Sequence, residues 1–371
     1  MSNQPAQQPR GVYPRPVLEQ LPKYAAGKAA APVEGLTPYK LSSNENPFGP
    51  VPAVHKVLAE FTDFCRYPDP MATELRERLA THLGVPADDI VTGAGSLGAL
   101  TQLINTFAGS NEDGSKDEVI YAWRSFEAYP IVVRTAGAQD VQIPLTADHR
   151  HDLDAMAAAI TERTRVIILC TPNNPTGPVL TTAEVEDFIT KVPSHVLVVI
   201  DEAYLEFVRD EDAVDGVAMY QKYPNVVALR TFSKAHGLAN LRVGYSLSNP
   251  ELTQHLRVIQ TPFAVSTVAS NAAVASLDAI EEVMERVNQV VAERERVYTA
   301  LTELGWPIPE SNANFVWLPM GARTQEFAAK ANEVALSLRA FGDEGLRVSI
   351  GEVEANDRFL KLCADHRDFL A

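Results

Sequence analysis

The sequence predicts an α/β protein: a large domain with a mainly parallel sheet flanked by helices, joined to a smaller α+β domain. Three observations predict it. The chain has 371 residues, more than one hydrophobic core usually organises (about 250–300), so two domains are expected. Between about Val51 and Asn249, short apolar runs alternate with helical patterns, as in a parallel sheet covered on both faces. The tail from Phe315 onward reads strand, helix, strand, an arrangement unlike the central region.

Taken in order, Met1 to Arg10 is polar and rich in Gln and Pro, so it is expected to be disordered, and it lacks the apolar core of a secretory signal. Four apolar runs follow in the central region: Val119-Ile120-Tyr121, Val166 to Cys170, Val196 to Ile200 and Val226 to Leu229. The longer ones are continuously apolar, as strands buried on both faces should be. In open sheets of this kind ligands sit beyond the carboxyl ends of the strands, so the residues just after these runs are the places to look for chemistry. From Pro250 to Leu304, Val283, Val287, Val290, Val291, Val297 and Leu301 recur mostly at three- and four-residue spacings, which predicts two helices. In the tail, Phe315 to Leu318 and Leu346 to Ile350 read as strands and Thr324 to Phe341 as a helix.

Composition narrows the function classes. With 46% hydrophobic and 22% charged residues the chain is that of a folded protein. The 48 acidic residues outnumber the 32 basic ones, and a net charge of -16 repels nucleic acid and anionic membranes, which leaves small-molecule partners. No apolar run reaches membrane-spanning length. Cys65, Cys170 and Cys363 are far apart and odd in number, so neither a disulfide framework nor a zinc site is suggested, and a cytoplasmic location is expected. His149 and His151 flank Arg150 with no third ligand near, and read as loop residues; no metal is assigned.

Four segments carry chemistry. Asp201-Glu202-Ala203-Tyr204 follows the run ending at Ile200, which sets a carboxylate at a strand end facing the ligand crevice. An Asp that merely caps the next element is the plain alternative. A nucleotide hydrolase is excluded because no G-x-x-x-x-G-K-[ST] loop exists. After the run ending at Leu229 come Thr231, Ser233 and Lys234, with Arg242 eight residues on. An amine, two hydroxyls and a guanidinium suit a phosphorylated ligand that a lysine also attacks, and pyridoxal phosphate is such a ligand. Thr171-Pro172-Asn173-Asn174-Pro175-Thr176-Gly177-Pro178 is a proline-fixed loop that points amide side chains over the strand ends. Thr92 to Gly98 precedes the helical pattern Ala99 to Phe107, where backbone N–H groups can cradle phosphate. The same segment matches G-x-G-x-x-G at Gly93, Gly95 and Gly98, so a NAD-dependent oxidoreductase is the rival; but Ala122 and Trp123 stand where a ribose-binding acid is expected.

In sequence order Ser43-Asn44-Glu45-Asn46-Pro47, Arg66-Tyr67-Pro68, Asn173 to Gly177, Asp201 to Tyr204, and Ser233 to Leu238 with Arg242 resemble the fold-type I aminotransferases over nearly the whole chain from about Gly11. Within them the sequence is similar to the histidinol-phosphate aminotransferase branch, and most similar to members described as aromatic amino acid (phenylalanine) aminotransferases. The resemblance implies pyridoxal 5'-phosphate as cofactor, Lys234 as the Schiff-base lysine and proton carrier, and Asp201 as the partner of the pyridine nitrogen. It implies Asn174 and Tyr204 at the ring's phenolic oxygen, Thr231, Ser233, Arg242 and the backbone at Gly95 and Ser96 at the phosphate, and Phe126 stacked on the ring. Arg347 matches the arginine that grips the substrate α-carboxylate, with Asn174 and Tyr24 also contacting substrate. Tyr67 is expected to reach a neighbouring subunit's phosphate, implying a homodimer. The expected division is residues 11–50 as an N-terminal arm with part of the small domain, 51–260 as the large cofactor-binding domain, and 261–371 as an interdomain helix and the small C-terminal domain.

For the substrate, the apolar segment Thr261 to Ser266 and Phe126, where many histidinol-phosphate enzymes are expected to have tyrosine, lean toward aromatic amino acids: phenylalanine and tyrosine, with tryptophan a further candidate, and 2-oxoglutarate as acceptor. Histidinol phosphate is the alternative, which would need a second anion site.

Overall fold

A computed structural model of the chain describes residues 14–19, 21 and 27–370. The expectations for residues 1–10 and for Tyr24 fall outside these. The described residues hold twelve strands: β1 Tyr39–Lys40, β2 Ile90–Ala94, β3 Glu118–Trp123, β4 Gln139–Pro144, β5 Thr164–Cys170, β6 Leu197–Asp201, β7 Val226–Thr231, β8 Val243–Leu247, β9 Phe315–Leu318, β10 Leu336–Ser337, β11 Arg339–Phe341 and β12 Gly345–Ser349.

The central sheet has seven strands in the order β2-β8-β7-β6-β5-β3-β4. Neighbours from β4 through β7 pair in parallel, and β8 runs antiparallel to both β7 and β2. After β4 forms one edge, the chain returns to the far side of β3 to lay down β5, so strand order reverses there; such a reversal opens a crevice at the carboxyl ends. Side chains alternate across each strand. Ile167, Leu169, Val198 and Ile200 therefore fall in one buried cluster, and Val166, Ile168, Leu197 and Val199 in the other. Helices Gly95–Phe107 and Tyr129–Ala136 cover the second face, contributing Leu100, Leu103, Tyr129 and Val133 to its core.

The four expected runs are strands; three are longer by two or three residues, and the fourth is shifted by one, leaving out Val196 and ending on Asp201. β4 and β8 are additional to them. The region from Pro250 to Leu304 holds three helices rather than two: Pro250–Ile259, Thr267–Asp278 and Ile280–Glu303. The extra break is a capped start, where Ser266 Oγ accepts from the Ala269 N–H at 3.3 Å.

The tail corrects a second expectation. Thr324 to Phe341 is helical only as Thr324–Glu333. Ala335 sits at φ +58°, which ends the helix, and the rest pairs: Leu336 and Ser337 run parallel to Tyr39 and Lys40, while Arg339 to Phe341 runs antiparallel to Gly345 to Arg347. Pairing with distant partners overrides a helical pattern that Leu338 and Phe341 would otherwise continue. β11, β12 and β9 form a three-stranded sheet, onto which residues 41–44 are tied by Ser349 N–H to Leu41 O at 2.9 Å and Asn44 N–H to Ser349 Oγ at 2.8 Å. Among the described residues no helix is long and apolar enough to cross a membrane.

Candidate active site

A cavity of about 360 Å³ lies beyond the ends of β5, β6 and β7, closed by the start of helix Gly95–Phe107, by residues 42–44 and by β11 and β12. Ser96, Phe126, Asn174, Asp201, Tyr204, Thr231, Ser233, Lys234, Arg242 and Arg347, all singled out in the sequence, line this one space. Gly95 lies directly behind its wall. Tyr67 does not line it; the residue is 84% exposed and its ring stacks on Phe263 at 4.8 Å.

Asp201 closes β6 and continues the Leu197, Val199 alternation, so its carboxylate falls on the Tyr129 side of the sheet. Tyr129 Oη donates to Asp201 Oδ2 at 2.7 Å, while Oδ1 is buried with no hydrogen-bond partner among the described residues. Burial pushes the carboxyl up to about 6 despite the Tyr129 hydrogen bond. A carboxylate fixed through one oxygen, with the other left bare toward a cavity, is built to meet a cationic N–H.

Lys234 follows β7 by three residues. Its amine is buried, donates to the Ser43 carbonyl at 3.4 Å and lies 5.7 Å from the centre of the Tyr204 ring. Burial and the Arg347 guanidinium, partly offset by Glu45, bring its pKa down to about 7, so near neutrality much of it is free base. Tyr204 accepts from Asn44 Nδ2 at 2.9 Å and packs edge-on against Phe315; burial raises its phenol.

One end of the cavity is shaped for a phosphate. Thr231 Oγ1 donates to Ser233 Oγ at 3.0 Å, and Arg242 Nη1 reaches the same Ser233 oxygen at 3.5 Å. Opposite them the helix starts at Gly95, bringing N–H groups and the positive end of its dipole. Gly95 is obligatory twice over: its φ is +74°, and a Cβ there would lie 2.4 Å from Arg242 Nη2. Gly93 and Gly98 serve the same junction, since a Cβ on Gly93 would meet the Ala99 nitrogen at 2.6 Å. β2 is an edge strand antiparallel to its neighbour, not the central parallel strand of a dinucleotide fold, which removes the oxidoreductase rival.

At the other end Arg347 donates from Nη1 to Asn174 Oδ1 at 2.5 Å and from Nη2 to the Ser42 carbonyl at 3.0 Å. Of the two loop amides expected over the strand ends, only Asn174 lines the cavity. Asn173 turns inward and ties the loop down, accepting from Ser125 Oγ at 2.8 Å and donating to Thr176 Oγ1 at 2.7 Å. His151 also belongs to this buried knot, its Nε2 3.2 Å from Asn173 Oδ1. Among the described residues no cluster of His, Cys, Asp and Glu could hold a metal ion.

Residues 37–362 match the family model for class I and II aminotransferases. The chain belongs to that family. Aromatic amino acid aminotransferases of Streptomyces avermitilis and Streptomyces coelicolor are each 52% identical to this aminotransferase, over 94% and 95% of its length and 96% and 97% of theirs. The crystal structure of histidinol-phosphate aminotransferase from Sinorhizobium meliloti, in complex with pyridoxal-5'-phosphate, superimposes with a TM-score of 0.81 at 26% identity, covering 89% of this chain and 91% of that one.

Several lining or supporting residues of the aminotransferase were not assigned a role from sequence, Phe341 among them. Tyr129 lies three residues after Phe126, and Asn44 stands in a motif quoted only for resemblance. Arg339 and Glu127 line the cavity as an ion pair. Arg339 falls in the stretch expected to be helical, which hid its alternation with Phe341 on a strand.

Proposed function

We propose that this enzyme transaminates aromatic amino acids, phenylalanine and tyrosine with tryptophan as a further substrate, using pyridoxal 5'-phosphate and passing the amino group to 2-oxoglutarate. The observation that carries transamination is that Lys234 and Asp201, from the ends of different strands, line one cavity. Support for aromatic substrates comes from the two Streptomyces relatives and from Phe126 and Phe341, both on the cavity wall.

The residues present fit the cofactor. The bare Asp201 Oδ1 suits a pyridinium N–H; Asn174 and Tyr204 suit a phenolic oxygen; Thr231, Ser233, Arg242 and the backbone at Gly95 and Ser96 suit the phosphate; and Phe126 supplies a ring to stack. When bound, pyridoxal phosphate supplies an aldehyde that condenses with amines and a ring that accepts the electron pair of the substrate Cα–H bond. Asp201, ionised, would meet the ring nitrogen and keep it protonated. Lys234, whose amine burial brings down to about 7 in the cofactor-free chain, would anchor the cofactor and, as a free amine, would move the proton at the substrate Cα. Arg347 would hold the α-carboxylate with its planar fork, and Asn174, bonded to it, would link that end of the site to the cofactor's oxygen.

Tyr24 is assigned to the substrate end of the site. A homodimer with Tyr67 contributed across the interface is part of this reading, supported by the exposed Phe48, Phe64, Tyr67, Val258 and Phe263. We divide the chain into a large cofactor-binding domain, 51–260, and a small one, 261–371, completed by an arm within 11–50. The free thiols of Cys65, Cys170 and Cys363 support a cytoplasmic location.

A substrate panel tests the proposal. Specificity constants for phenylpyruvate and 4-hydroxyphenylpyruvate should exceed that for imidazole acetol phosphate; turnover of the last alone would replace aromatic substrates with histidinol phosphate.

A further inference from the structure

Three guanidiniums line the cavity: Arg242 belongs to the phosphate end and Arg347 to the α-carboxylate, which leaves Arg339 without a role. β11 and β12 pair antiparallel with Arg339 directly opposite Arg347. Directly opposed residues share one face of a sheet, and both side chains reach the cavity. Arg339 is not presented there as a bare cation. Its Nη2 donates to Glu127 Oε2 at 2.5 Å, and its guanidinium lies 5.2 Å from the Phe341 ring. Glu127, next to Phe126, lines the cavity too, so this wall offers a neutralised ion pair between two phenyl rings. The pair is largely shielded, the side chains being 13% and 27% exposed, so solvent screens it only in part.

An aminotransferase handles donor and acceptor in turn at one site. An uncharged ring pressed against an unneutralised guanidinium would strip its water and return only a cation–π contact, less than the lost hydration. A distal carboxylate needs that same cation. With Glu127 in place the ring meets a satisfied pair, and a diacid exchanges one carboxylate for another at Arg339.

We propose that Glu127 is a specificity-determining residue: it keeps Arg339 neutralised when the substrate side chain is an uncharged ring, and releases it to the distal carboxylate of a dicarboxylic 2-oxo acid. The ring half rests on the aromatic reading above; the competition for Arg339 does not.

The experiment compares 2-oxoglutarate with 2-oxohexanoate, which has an uncharged chain end, in wild type, E127Q, R339M and the double variant, with one fixed amino donor. E127Q should lower KM for 2-oxoglutarate about tenfold or more, the scale of a charge-assisted hydrogen bond freed from its competitor. KM for 2-oxohexanoate and for phenylpyruvate should rise, because each sets an uncharged side chain against the unneutralised guanidinium, and kcat should change less than KM, because Glu127 touches no reacting atom. In the R339M background E127Q should shift the ratio of the two KM values much less, because only repulsion by Glu127 is then removed. A ratio within about twofold of wild type in E127Q, or a shift as large without Arg339 as with it, overturns the proposal. If wild type does not use phenylpyruvate yet E127Q still shifts the ratio, the aromatic reading is lost and the control of Arg339 by Glu127 stands.

Discussion

Asp201 should make the cofactor-free protein less stable than it could be. Burial raises its carboxyl from 3.8 to about 6, so ionising it in the folded chain at pH 8 costs about 3 kcal/mol relative to the unfolded chain. The sign follows from proton counts. Unfolded chains release this proton near pH 3.8 and folded chains near 6, so between those values the folded state holds more protons and stability falls as pH rises. Below 3.8 the cost is absent; above 6 it is complete. Asp201→Asn carries no such cost and can still accept from Tyr129, although a neutral acceptor loses about 1 kcal/mol of that bond. Urea unfolding of the cofactor-free proteins should therefore show D201N more stable by about 2 kcal/mol at pH 8, with the advantage gone at pH 4. In the presence of cofactor the order of merit reverses, with kcat of D201N lower by about 10²-fold or more. An advantage equal at the two pH values, or a wild type more stable at pH 8, would refute the reasoning, because desolvation of the carboxylate would then not be the dominant effect.

Three further outcomes are expected. In the cofactor-free enzyme Lys234 should react with an acylating reagent along a titration curve centred near pH 7 rather than above 10, and Arg347→Met should move that midpoint upward, since the Arg347 guanidinium is the second cause of the depression; peptide mapping across pH reads both. Gly95→Ala should weaken pyridoxal phosphate binding about tenfold or more by displacing Arg242 and should cost roughly 1–3 kcal/mol of stability from its positive φ, measured by cofactor titration and urea unfolding. Arg230→Met should cost about 3–5 kcal/mol, because Arg230 is 2.8 Å from the fully buried Glu202 and its loss leaves that charge unpaired; E202Q/R230M should recover part of the loss in the same unfolding assay.

Much of this molecule was legible in its sequence because the relevant physics is local. A strand buried on both faces must be apolar throughout, so β3, β5, β6 and β7 announce themselves, and the rule that ligands lie beyond their carboxyl ends points to Asp201, Asn174, Thr231, Ser233 and Lys234 from the sequence alone. The glycine at 95 was legible as part of a helix start whose backbone N–H groups can cradle phosphate, whereas its close approach to Arg242 is a property of the assembled fold. What only the tertiary structure decided depends on partners far away in the chain. Residues 334–341 have a pattern a helix would accept, and become β10 and β11 because β1 and β12 are there to pair with them. Arg339 meets Glu127 across 212 positions, and Tyr129 meets Asp201 across 72. No local pattern encodes such meetings, since burial and ion pairing are properties of the assembled packing; the central strands follow their own apolar runs, while the backbone of residues 334–341 and the proton affinity of each buried side chain follow whatever the fold sets beside them.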